Sequence, residues 1–273
     1  MSDIQVSGGS YSYMLNDTGT LDGRGVAVKL HSTPGSFRQV QSHGSTVMLG
    51  GSGGTITKDD RLLQAAQKGD LAKVKKLLKG GVNPDVVCKN AGVTSLCLAA
   101  EFNFGAVMKA LIAAKATVDA AGRRGETPLM IAVQFEALEA MQVLCAAGAD
   151  VNRRSIDWVS DPRDASPLDI AARHNRKAAT DILLAHNVKV DDTSTEGWTA
   201  LHLATYAESI DVCARLLEVK ADPLIATKAG PCNGFNAMHH MQGREPDDAL
   251  RKLFVERCGE AALESALSSL ELT

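Results

Sequence analysis

The sequence predicts an all-α solenoid of about five to six helix–turn–helix repeats behind a disordered N-terminal tail. Three observations lead there. The first is a box, Thr127-Pro128-Leu129-Met130-Ile131-Ala132. It returns as Ser166-Pro167-Leu168-Asp169-Ile170-Ala171, Thr199-Ala200-Leu201-His202-Leu203-Ala204 and Thr94-Ser95-Leu96-Cys97-Leu98-Ala99, with a degenerate copy at Asn236-Ala237-Met238-His239-His240-Met241. The copies start at 94, 127, 166, 199 and 236, in steps of 33, 39, 33 and 37. The second is a closing motif, Gly81-Val82-Asn83-Pro84-Asp85, Ala147-Gly148-Ala149-Asp150-Val151-Asn152 and Lys220-Ala221-Asp222-Pro223, with looser forms at Lys115–Asp119 and Asn187–Asp191. The third is composition: aromatics make up 4% against 45% hydrophobic residues, which suits thin helical layers rather than a β-sandwich.

One unit, residues 125–152, shows why the pattern means helices. Gly125 suits a turn that needs positive φ. Thr127 caps the first helix through its hydroxyl, and Pro128 fills the first turn, where its missing N–H costs nothing. Leu129, Ala132 and Val133 share one face at helical spacing. Leu138, Met141, Val143, Leu144 and Cys145 supply a second helix, which Gly148 ends. Such a pair cannot bury both faces alone, so neighbours must stack into one core.

The box and the Gly-Ala-Asp closing motif closely resemble the ankyrin repeat, over about residues 58–258. The resemblance gives units at 58–89 (an N-terminal cap lacking the box), 90–122, 123–155, 156–194 with a long hairpin, 195–229 and a degenerate 230–258. Residues 259–273 read as a capping helix, with Leu263, Leu267 and Leu270 on one face. Residues 1–57 hold 11 of the 24 glycines and end in Gly50-Gly51-Ser52-Gly53-Gly54, so they read as a Gly/Ser-rich disordered tail and linker.

Several functions are excluded. Net charge is −3, and the basic clusters at Lys73–Lys79 and Arg123-Arg124 are short, so no nucleic-acid footprint is expected. No Cys-x-x-Cys pair, His-Glu-x-x-His or phosphate-loop lysine occurs, and the Gly-x-Ser-x-Gly letters of Gly50–Gly54 fall in the Gly/Ser linker, so no enzyme, cofactor or metal is expected. The resemblance assigns His202 and His239 to the box histidine, a local backbone ligand. No signal-peptide pattern or apolar run for membrane insertion is seen, and six cysteines without Cys-x-x-Cys spacing, several at positions expected to be buried, suit a reducing, intracellular setting, cytoplasmic or nuclear.

What remains is recognition. The resemblance implies a monomeric module whose concave face meets a protein partner of unknown identity, as an adaptor or scaffold in a larger assembly. A regulatory or inhibitory subunit of an enzyme is the alternative. The family's contact positions fall just before each box Thr and just after each box Ala pair. Here they are Glu101 and Phe102; Glu126, Gln134 and Phe135; Arg173 and His174; Trp198 and Tyr206; and Phe235. Five of these positions are aromatic, the residue class that anchors interfaces. The 39-residue step adds a longer hairpin, in which Trp158 and Arg154 are further contact candidates.

Overall fold

The computed structural model describes residues 56–88, 92–122, 125–155, 164–228, 234–242 and 244–268. The tail expected over 1–57 lies outside them, except for Ile56 and Thr57.

Among the described residues the chain is helical throughout and forms no strand beyond a single Val87–Thr94 bridge. Helices come in pairs: α1 (Lys58–Gln67) with α2 (Leu71–Lys79), α3 (Ser95–Glu101) with α4 (Gly105–Ala113), and α5 (Pro128–Gln134) with α6 (Leu138–Ala146). Next come α7 (Pro167–Arg173) with α8 (Lys177–Ala185), then α9 (Ala200–Tyr206) with α10 (Ile210–Glu218). In the last unit the first helix tightens to a 3-10 turn, Ala237–Met241, paired with α11 (Ala249–Cys258); α12 (Glu260–Ser268) packs on both. The first members pack side by side in chain order, as do the second members, giving two helical layers.

Equivalent positions explain the stacking. Leu62, Leu96, Leu129, Leu168 and Leu201, followed by Met238, form an unbroken buried row across the first helices. Burying each leucine contributes roughly 2 kcal/mol. Beside it runs a row of buried alanines, Ala65, Ala99, Ala132, Ala171 and Ala204, small enough for neighbouring helices to approach closely. The second helices answer with Leu111, Leu144, Leu183 and Leu216.

Caps set the boundaries. Thr57, Thr94, Thr127, Ser166, Thr199 and Asn236 each accept an N–H of the first turn. The first five helix pairs each turn on a left-handed residue: Gly69, then Asn103, Glu136, Asn175 and Glu208. Gly69 is required twice over, by φ 71° and because a Cβ there would sit 2.8 Å from the Phe104 ring of the next unit.

The turn residues also stitch units together. Asn103 accepts the Ala140 N–H at 2.9 Å, and Asn175 accepts the Val212 N–H at 3.3 Å. Glu136 pairs with Arg176 at 2.8 Å, and Glu208 with Arg244 at 2.7 Å. A second ladder runs along the closing motifs. Asp85 accepts from Thr117 N–H (2.8 Å), Asp119 from Asp150 N–H (3.2 Å), Asn152 from Lys189 N–H (2.7 Å) and Asp191 from Asp222 N–H (3.0 Å). The Asp and Asn of the repeat signature are therefore links between units as well as turn formers.

Candidate partner-binding face

The third helical residue of each box is a hub. In α9, His202 is buried; its Nδ1 accepts the Thr199 N–H at 3.2 Å, which leaves Nε2 protonated to donate to the Phe235 carbonyl of the next unit at 3.2 Å. His239 repeats the motif, accepting the Asn236 N–H at 2.7 Å, while its ring also bonds the Ala266 carbonyl of α12. Desolvation lowers both imidazole pKa values, so they serve as neutral ties rather than acid–base groups. Cys97 and Met130 occupy the same place in α3 and α5. Burial pushes the Cys97 thiol up to about 11, far from a reactive thiolate.

In α7 the hub is Asp169, and it is served by Arg154. Arg154 Nη2 donates to Asp169 Oδ2 at 2.7 Å, Nε to Asp164 Oδ2 at 2.6 Å and Nη1 to Asp192 Oδ2 at 3.0 Å. The Arg154 side chain is only 17% exposed. The sequence reads Arg154 as a partner contact; the structure instead commits its guanidinium to three carboxylates of its own chain. The long hairpin closes immediately beside it, where Ser155 N–H donates to the Ala165 carbonyl at 2.9 Å. The other hairpin candidate, Trp158, lies outside the described residues.

The remaining candidates divide. Phe102 follows α3 at its C-cap and is 44% exposed, its ring stacked on Phe104 at 6.1 Å. Phe135 and His174 occupy the same C-cap position after α5 and α7; Phe135 is half-buried and His174 exposed. One residue earlier stand Glu101, Gln134, Arg173 and Tyr206. Of these, Tyr206 is 49% exposed. Burial raises the Glu101 carboxyl to about 7, so it carries a proton for much of the neutral range. Glu126 and Phe235 are half-buried.

Trp198 differs from the sequence reading. It is 5% exposed, because its ring packs into the junction with the next unit, beside His202 and His240. Its ring lies 5.7 Å from His202, 6.1 Å from Tyr206 and 6.1 Å from His240. Tyr206 therefore forms the outer wall of an aromatic cluster whose floor is Trp198. His240 closes it, with Nε2 buried and unbonded and its pKa lowered by burial to about 4. No metal-holding group of three His, Cys, Asp or Glu side chains exists among the described residues, and none of their helices is long and apolar enough to cross a membrane.

Paired helices stacked in register, with side chains offered along one face, define a helical-repeat recognition scaffold. The model of the family described as ankyrin repeats (3 copies) matches residues 62–155 and 156–227, more than half of the chain. The chain belongs to the ankyrin-repeat family, and as such it is a protein–protein interaction module on a fold that is typically non-catalytic. Among its relatives are the ankyrin repeat protein FPV031 of fowlpox virus (strain NVSL), 36% identical over 97 residues, and the transient receptor potential cation channel subfamily A member 1 homolog of Caenorhabditis elegans, 28% identical over 181 residues. Mouse inversin is 28% identical over 149 residues. The matches cover 35%, 66% and 54% of this chain but only 27%, 14% and 14% of those proteins, so the similarity concerns the repeats.

Proposed function

We propose that the chain is a non-catalytic adaptor or scaffold acting inside the cell, and that it holds a partner protein along its first-helix face. The observation that carries this is the exposure of Phe102 and Tyr206 at the ends of α3 and α9. Two large aromatic side chains left half in water, on a scaffold that buries its other apolar rows, fit interface anchors. Phe135, Gln134, Arg173 and His174, between them along the same face, supply further contact. The described cysteines are free, which suits a reducing compartment.

Affinity purification with wild type and the F102A/Y206A variant tests the reading. A protein retained by wild type and lost from the variant, with binding reproduced by the purified pair, supports it. A partner retained equally by both overturns it.

A further inference from the structure

The outer helical layer presents a different surface. Helix α2 reads Leu-Ala-Lys-Val-Lys-Lys-Leu-Leu-Lys and α4 reads Gly-Ala-Val-Met-Lys-Ala-Leu-Ile-Ala; neither contains an acidic or an aromatic residue. The two helices pack against each other in the outer layer. Lys75, Lys76 and Lys79 on α2 and Lys109 on α4 are exposed, as is Lys115 just after α4. Lys75 and Lys109 occupy the same position in successive units, so their stems lie side by side, about 8–10 Å apart as packed helices are. Lys76 and Lys79 stand one turn apart along α2.

None of these lysines forms an ion pair with a described residue. Of the nearby carboxylates, Asp70 caps α2 through the Lys73 N–H and Asp85 holds Thr117, while Glu139 lies over Gly105 at the start of α4, one turn before Lys109. The later units treat the same face differently. At the position of Lys75 and Lys109, α8 carries Asp181, which binds Arg215 of the next unit at 2.6 Å; Arg215 also binds Glu218, which binds Arg257. The outer layer therefore neutralises itself across α8, α10 and α11 and leaves a concentrated positive charge on α2 and α4.

We infer that the lysine face of α2 and α4 docks an acidic helical segment of a protein partner. Carboxylates one turn apart on such a helix match the spacing of Lys76 and Lys79, and its width matches the spacing of Lys75 from Lys109. A single-stranded nucleic acid would lack an aromatic platform for its bases on either helix. A membrane would lack an apolar wedge, since the exposed large apolar residues described are Ile56, Val87, Phe102, Tyr206, Ile210 and Leu224, none on these helices. The surface is separate from the first-helix face and does not depend on it.

The test uses the full chain and a labelled helical Glu/Ala peptide, followed by fluorescence anisotropy at low and moderate salt. The variant K75Q/K76Q/K79Q/K109Q is compared with K177Q/K189Q/K220Q/K252Q, which removes the same charge from exposed lysines elsewhere. Expected are salt-sensitive binding by wild type, a loss of about tenfold in the first variant and less than about twofold in the second. Circular dichroism checks that both variants fold. Equal binding by the two variants, absence of peptide binding, or tighter capture of phosphatidylserine vesicles or single-stranded DNA than of the peptide would overturn the proposal.

Discussion

Asp169 Oδ2 receives both the Ser166 N–H at 2.9 Å and the Arg154 Nη2 at 2.7 Å, so one buried oxygen caps helix α7 and anchors the base of the long hairpin. Burial drives the Asp169 pKa up, while Arg154 and the Ser166 bonds pull it back. Arg154→Ala leaves a buried carboxylate without its cation and should cost about 3 kcal/mol in denaturant unfolding at neutral pH. R154A/D169N should lose less than R154A, because the deeply buried carboxylate is then neutral and only the partly exposed Asp164 and Asp192 are left without the cation. An R154A variant as stable as wild type would show the network to be dispensable.

Two groups should tilt stability with pH in opposite senses. The folded-state pKa of Glu101 is raised from 4.5 to about 7. Its protonated form favours folding, so that stability is fully present below pH 4.5 and is lost as pH rises toward 7. Glu101→Gln should therefore gain about 1 kcal/mol on wild type at pH 8 relative to pH 4, after allowance for the solvent reaching this half-buried group. A constant difference across that range would contradict the buried placement.

His240 runs the other way. Its pKa is lowered from 6.5 to about 4, so the unfolded chain takes up the proton first. Its contribution is fully present above pH 6.5 and is lost as pH falls toward 4. Replacing His240 by Gln should flatten the acid limb of the denaturant-midpoint profile by about 2 kcal/mol. An unchanged acid limb would place His240 in water.

Glycines that share a backbone conformation should differ in what they tolerate. Gly197 has φ 86°, and a Cβ there would fall 2.7 Å from the Lys228 N, where Lys228 N–H donates to the Glu196 carbonyl. Gly148 has φ 82° and open space around it. Gly148→Ala should cost about 1 kcal/mol, from the left-handed backbone alone, and Gly197→Ala about 2 kcal/mol or more. Equal losses in thermal melts would mean that the two hairpins are not in contact.

Much of this was legible in the sequence because the fold repeats. A leucine and an alanine recur at the same offset from a cap residue, so periodicity alone places Leu129, Leu168 and Leu201 in one buried row. The resemblance makes the box histidines local backbone ligands, and His202 is one; its reach to Phe235 crosses 33 positions in the chain, which no local pattern signals. The contact slots were harder to read. Phe102 and Trp198 are both aromatic residues beside a box, yet one ends a helix facing water and the other enters a junction filled from the next unit by His240. The sequence reads Arg154 as a hairpin contact because its three partners are separated from it by 10, 15 and 38 positions in the chain. No local pattern brings Asp164, Asp169 and Asp192 together.

The central claim is that exposed side chains of the first-helix face recognise a partner while their buried neighbours hold the stack together. Capture of one purified partner, measured beside melting temperature for F102A/Y206A and for Trp198→Ala, tests it most directly. The account predicts that F102A/Y206A loses capture by tenfold or more with little change in melting, and that Trp198→Ala melts well below wild type yet binds when folded. Undiminished capture by F102A/Y206A, together with lost capture by a fully stable Trp198→Ala protein, would contradict it.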